Sequence, residues 1–275
     1  MSEDVCVWAV ADASYEIFVA PFIFFALYSE PRCRVAVGLD EQSQFDRTNS
    51  DEIEWLLSTF PGRVSIERLD FSGLLPNSVR FLRKPELHLP YTYICDVDIF
   101  ITEPFANWHE LKLHELGLPH SNVLRDDQLR LSGLHFTRTA DFWPVDWDPR
   151  FQLAVYSDER LLFDIIKRKN HLPPLTHKDR PVHGVHVSLF NRFPLSDVGW
   201  GLSKFRIAQL DEVLGSPLME SFLSVASPST RALVRTVALF GHLVASQALP
   251  IRAIPFLTGG GVHPAAKGLE MQEQS

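Results

Sequence analysis

The chain has 275 residues, 45% hydrophobic and 22% charged, with a formal net charge of −8 and a pI near 5.7. An acidic chain is poorly suited to a polyanion, since gripping a phosphate backbone takes concentrated Lys and Arg; a small phosphorylated ligand stays open. No nucleic acid polymer is expected as a partner.

At roughly 150 residues per domain, the length holds one large domain or one with an appendage. No apolar run reaches the ~20 residues of a spanning helix. The opening Met1-Ser2-Glu3-Asp4 lacks the basic start of a secretory signal. Cys6, Cys33 and Cys95 have no metal-ligand spacing and read as buried reduced thiols. A cytoplasmic location is the expectation.

Residues 5–10 form a short apolar run closing in Ala11-Asp12-Ala13-Ser14, which predicts a strand and a turn. Residues 15–28 predict an apolar helix, with Pro21 kinking it or sitting in its first turn. A second strand at 34–39, a helix at 51–60 and a third strand at 63–69 follow. Residues 77–87 predict a helix carrying Arg80, Arg83 and Lys84, which Pro85 cuts short. The most strand-like segment is 91–101. Strands alternating with helices predict an α/β fold with a mostly parallel sheet covered on both faces.

After Asn107 the pattern is less regular. A strand is expected at 129–137, a helix at 158–169, a loop opened by Pro173-Pro174, and a β-like stretch at 182–189. Beyond Gly201 the chain reads as helical, with long segments at 217–226 and 229–248. The Gly-, Ala- and Gln-rich residues 259–275 are expected to be disordered. The division expected is a catalytic unit at 1–200, a helical extension at 201–258 and that tail.

Asp96-Val97-Asp98 is the sharpest chemical signal. Alternation along a strand puts both aspartates on one face, where two carboxylates repel and are costly to desolvate. A divalent cation near the strand end, between them and a diphosphate, removes both problems. Mn²⁺ or Mg²⁺ suits such oxygen ligands, and the carboxyl end of a sheet is where α/β folds bind ligands. Two unrelated surface aspartates are the plain alternative.

Several segments, taken in order, carry a resemblance. Val7 to Tyr15 followed by an apolar helix resembles the first strand and turn of glycosyltransferase family 8, the glycogenin and bacterial galactosyltransferase group. Ser78-Val79-Arg80-Phe81-Leu82 and then Tyr93 to Ile99 resemble its Arg helix and Asp-x-Asp strand. Ser132-Gly133-Leu134-His135-Phe136 is similar to its strand beneath the sugar. Ser157-Asp158-Glu159-Arg160 resembles the acidic motif beside the reacting carbon, and His183-Gly184-Val185-His186 the motif whose imidazole completes the metal site.

That resemblance implies a GT-A fold with a Rossmann-like sheet and a metal-dependent hexosyl transfer from a nucleotide-sugar, UDP favoured, with retention. Asp12, Ser14, Tyr15, Arg80, Val97, Ser132 and Gly133 would bind the donor. Asp158 and Glu159 would be catalytic, and Asp96, Asp98 and His183 (or His186) would hold Mn²⁺ or Mg²⁺. Odd spacing keeps His183 and His186 off one face of a regular strand, so one is a ligand and the other structural.

Ala13, Glu159 and Phe163 depart from the family pattern, and its Lys-Pro-Trp after the final His is absent. A catalytically silent sugar-nucleotide-binding or scaffold protein is therefore an alternative. A nucleotidyltransferase is another, although the first turn lacks the Gly and cation of its phosphate loop. The acceptor is an unidentified saccharide, lipid or protein. For the apolar stretch 232–257, core packing is favoured over peripheral membrane contact.

Overall fold

The computed structural model describes residues 4–71, 74–125, 129–146, 157–177, 184–187 and 204–245. Expectations for 246–275 and for the 182–183 and 188–189 ends of the expected β-stretch lie outside the described residues. In chain order the strands are β1 (Val5–Ala11), β2 (Cys33–Asp40), β3 (Val64–Leu69), β4 (Tyr91–Ile94), β5 (Ile99–Ile101), β6 (His120–Ser121), β7 (His135–Arg138) and β8 (Gly184–His186). The helices are α1 (Val19–Ser29), α2 (Phe45–Thr48), α3 (Ser50–Thr59), α4 (Pro76–Leu82), α5 (Ala106–Leu116), α6 (Thr139–Phe142), α7 (Asp158–Arg168), α8 (Lys204–Leu214), α9 (Pro217–Val225) and α10 (Pro228–Ala245).

The main sheet has the order β3-β2-β1-β4-β7-β6. Its first four strands are parallel, β7 runs antiparallel to β4, and β6 antiparallel to β7. This is the mixed α/β architecture expected. β1 shows why both faces must be covered: Val5, Val7, Ala9 and Ala11 enter one core, and Cys6, Trp8 and Val10 the other. The first core also takes α1, α3 and side chains of α8, α9 and α10; the second takes α4 and α7. Pro21 sits in the first turn of α1 without kinking it, where the amide it lacks would be unpaired anyway.

Three expectations change. The stretch 91–101 is not one strand: β4 ends at Ile94, the chain turns through 95–98, and β5 leaves for a separate two-stranded sheet with β8. Of 129–137, the strand proper begins at His135. Before it the chain wraps the Asn122 side chain, whose Nδ2 donates to the Ser132 carbonyl (3.0 Å) and whose Oδ1 accepts from the Ser132 amide (3.1 Å). Helix α5 was not foreseen. Its buried stripe is Ala106, His109 and Leu113, while Leu111 is 56% exposed, so the apolar letters do not mark the buried face.

A buried acid fixes the start of α5. Glu30 accepts from the Phe105 and Ala106 amides (2.9 Å each) through Oε2 and from the Arg32 amide (3.1 Å) through Oε1. A carboxylate at a helix N-terminus takes up unpaired amides and complements the macrodipole.

Beside α5, His120 and His135 are fully buried with rings 4.9 Å apart. His120 Nε2 donates to the His171 carbonyl (2.7 Å), and His135 Nδ1 accepts from Asn122 Nδ2 (3.0 Å). Burial drives the His120 pKa from 6.5 to about 4, against the pull of the His171 carbonyl, and pushes His135 down as well. A folded pKa below the unfolded one means stability is full above pH 6.5 and drains as pH falls toward 4. Urea unfolding should show a loss of about 3 kcal/mol from His120 across that window. His120→Gln, which can still donate to the His171 carbonyl, should flatten the slope. A slope unchanged by the substitution would place the acid sensitivity elsewhere.

Candidate metal and donor site

The strand order reverses direction between β1 and β4, and in open α/β sheets ligands enter at that switch point, outside the carboxyl ends of the strands. Asp12 follows β1 and Asp96 follows β4. The Cys95 amide still donates to the Trp8 carbonyl (3.0 Å); the chain then turns, the Ile99 amide donating to the Asp96 carbonyl (3.1 Å). Asp96 and Asp98 are therefore brought together by a turn. The same-face strand argument is superseded, because these residues are not in a strand.

The turn launches β5, and β5 recruits the imidazole. His186 pairs with Ile99 across the small sheet, and the Val187 amide donates to the Asp98 carbonyl (2.8 Å). His186 Nε2 then lies 3.1 Å from Oδ2 of the buried Asp98. One ligand atom from each of Asp96, Asp98 and His186 lies within 4.8 Å of the others. His183 lies outside the described residues, so of the two histidines His186 is the one placed here. Gly184 permits the approach: a Cβ on it would fall 2.1 Å from the Phe100 carbonyl oxygen. A glycine inside a β-like run is the usual sign of such backbone contact.

Arg80, on α4, is 2% exposed. Its Nη1 contacts Asp96 Oδ1 closely, and its Nη2 lies 2.6 Å from Asp158 Oδ2. Burial works against the guanidinium charge, and the two carboxylates more than offset it, holding the Arg80 pKa above its ordinary value. Burial pushes the Asp158 carboxyl up, with Arg80 pulling it down and Asp96 adding to the rise. Arg80 was expected to face the donor; what it holds are two acids, because a guanidinium this buried needs anions beside it.

Gly133 lies over this group, with its Cβ position 3.1 Å from Arg80 Nη2, 3.7 Å from Asp96 Oδ2 and 3.8 Å from Asp158 Oδ2. Ser132 beside it is buried, its hydroxyl accepting from the Leu134 amide (3.4 Å). Asp158 and Glu159 diverge. Asp158 joins Arg80, whereas Glu159 lies 3.3 Å from Arg130 Nη1 and 3.7 Å from Arg125 Nε, and its carbonyl accepts from the Leu131 amide. Glu159 ties Arg125 and Arg130 to α7, which nothing in the sequence pattern signalled. Val97, expected among the donor contacts, buries its side chain in the core because the turn points it inward.

In the first turn, Asp12 Oδ1 accepts from the Ser14 amide (2.9 Å) and the Asp12 carbonyl from the Tyr15 amide (2.9 Å). Ser14 is exposed; Tyr15 is half-buried, packed on the core with its ring 5.7 Å from that of Phe18.

The donor set fits a divalent ion. Two carboxylates and an imidazole converge, and Arg80 against Asp96, Asp98 and Asp158 leaves a formal charge of −2. Hard oxygen ligands with one nitrogen suit Mn²⁺, and Mg²⁺ less well.

No family model matches the chain, and no curated protein matches it. Solved structures do. They include the glycosyltransferase GlyE of Streptococcus pneumoniae TIGR4, at 12% identity over 89% of this chain and 64% of that one, with a TM-score of 0.49. A mannosyltransferase of Pyrobaculum calidifontis, solved with GDP-Man and Mn²⁺, matches at 14% identity over 97% and 78%, with a TM-score of 0.43. The galactosyltransferase LgtC, in complex with donor and acceptor sugar analogues, matches at 9% identity over 60% and 65%, with a TM-score of 0.37. The chain spans less than two thirds of the length of the first solved structures it matches. At these identities and scores the likeness carries no functional weight, and function has to be read from the side chains.

Gly184→Ala tests how the imidazole is delivered. A methyl cannot fit against the Phe100 carbonyl, so β8 should part from β5 and carry His186 away. Calorimetric Mn²⁺ affinity should fall at least about tenfold, the scale seen when metal-site support is lost, with far-UV circular dichroism retained. Wild-type Mn²⁺ affinity in a folded variant would separate β8 from the site.

Proposed function

We propose that the chain is a metal-dependent glycosyltransferase of the GT-A type, taking its sugar from a nucleoside diphosphate donor. The observation that carries this reading is the Asp96, Asp98 and His186 cluster at the carboxyl end of β4, one strand from the Asp12–Tyr15 turn. The ordered motif resemblance supports the same reading and favours a UDP-sugar, family 8 and retention.

Asp96, Asp98 and His186 would hold the ion, which when bound supplies Lewis-acid stabilisation for the charge that builds on the leaving diphosphate. Asp12, Ser14 and Tyr15 stand at the adjacent strand end, where the base would lie. Arg80 keeps Asp96 and Asp158 in place beneath the backbone of Ser132 and Gly133. A side chain at 133 would fill the space above the guanidinium, so we place the sugar there. Asp158 is the acid we assign beside the reacting carbon. Glu159 supports it by holding Arg125 and Arg130.

We assign donor binding to residues 1–200. Helices α8 and α10 pack on α1, and α9 on α3, and we place acceptor contacts among them. No described helix is long and apolar enough to cross a membrane. Three buried free thiols suit a reducing compartment. One observation favours a second reading, a binding protein without turnover: Glu159 is committed to Arg125 and Arg130. Donor binding without consumption in a turnover assay would select it.

Asp98→Asn is the direct test. An amide preserves shape but is a poor ligand for a hard cation, and its apo melting temperature should hold or rise as like-charge repulsion is relieved. Mn²⁺-dependent UDP affinity should fall at least about tenfold. Lower apo stability with unchanged Mn²⁺-dependent affinity would make Asp98 structural and remove the metal site.

A further inference from the structure

We infer that Asp158 sets the metal affinity of this site from outside the ligand set, by dividing the charge of Arg80 between itself and Asp96. This rests on the reading that Asp96, Asp98 and His186 hold the ion. Asp158 is not part of that ligand cluster. It is joined to it through one guanidinium, whose Nη1 meets Asp96 and whose Nη2 meets Asp158 at 2.6 Å.

The consequence follows from burial. Arg80 is 2% exposed, so its charge cannot turn to water and must be met by protein anions. The planar fork matches one carboxylate on each side. With both in place, Asp96 shares the guanidinium's attraction with Asp158 and keeps negative charge for a cation. If Asp158 loses its charge, Arg80 has Asp96 as its remaining carboxylate partner among the contacts described. The guanidinium then competes with the metal for the same ligand.

A simpler effect has the same sign, since an acid near a cation attracts it directly. The two differ in their dependence on Arg80. A direct effect persists when Arg80 is neutral; an effect transmitted by Arg80 disappears. Asp158 is thus a positioning residue for the metal, whatever else it does beside the sugar.

The experiment is a double-mutant cycle read by Mn²⁺ dissociation constants on the full chain without nucleotide, using the electron paramagnetic resonance signal of free Mn²⁺. Asp158→Asn should weaken Mn²⁺ binding about tenfold, a typical coupling for groups in direct contact. In an Arg80→Met background the same change should move the constant less than about twofold. Arg80→Gln, which retains polar contacts, is the second neutral background if the methionine variant unfolds. Asp158→Glu should restore binding to within about threefold of wild type, which a packing defect would not do.

An unchanged constant in Asp158→Asn, or an equal loss with and without the Arg80 charge, would overturn the coupling. Failure of the metal reading looks different: wild-type protein would not bind Mn²⁺, or its binding would ignore Asp98→Asn.

Discussion

A guanidinium almost sealed from water must be given anions, and much of this site can be traced from that requirement. Arg80 reaches the core on α4, with its backbone carbonyl accepting from Trp8 Nε1 (2.9 Å) and its charge over the Phe81 ring at 4.9 Å. Breaking a buried pair by removing one partner leaves an uncompensated charge, at a typical 3–5 kcal/mol. Asp96 from the turn after β4 and Asp158 from the start of α7 are therefore held to Arg80 and, through it, to each other. Three segments far apart in the chain are fixed at one point by a single charge.

The second constraint is backbone geometry. Had β4 continued, Asp96 and Asp98 would have stood on the main sheet, apart from the strand that carries His186. By turning at 95–98 the chain starts a new sheet, and the pairing of Ile99 with His186 is then a matter of register. Register in so short a ladder is pinned at both ends: by the close approach at Gly184 and by the Val187 amide on the Asp98 carbonyl. The geometry of the Asp96, Asp98 and His186 cluster is a by-product of strand pairing, so a change far from these side chains can still move the imidazole.

These devices differ in how well they can be read from sequence. The βαβ rhythm of residues 5–69 was legible because β1 and β2 are buried on both faces, leaving unbroken apolar runs in the letters. The Asp-x-Asp triplet and Gly133 were legible as motif residues, and His186 only as the alternative to His183. The break at 95–98 was not, because Ile99, Phe100 and Ile101 are as strand-like as Tyr91 to Ile94 and only the turn separates them. Helix α5 was hidden by His109, a polar letter in the core-facing stripe, where it stacks on Phe136 at 4.7 Å. The split between Asp158 and Glu159 could not be seen at all. Neighbours on a helix differ by about 100° in direction, but which of two acids meets which arginine depends on segments 29 to 78 residues away.

That split also bears on how the site would work. Two adjacent acids at a helix start are ordinarily explained by the macrodipole alone, and Ser157 does cap α7, its hydroxyl accepting from the Arg160 amide. Here the capped start acts as a rigid mount with two outlets. Glu159 takes the Arg125 and Arg130 side, close in sequence to Ser132 and Gly133; Asp158 takes the Arg80 side and, through it, reaches Asp96. The backbone over the guanidinium and the acid beneath it are thus set by the same first turn of α7. A shift of that turn would move the Gly133 surface and the charge on Asp96 together, so in the proposed reading the fit of the sugar and the hold on the ion would change together.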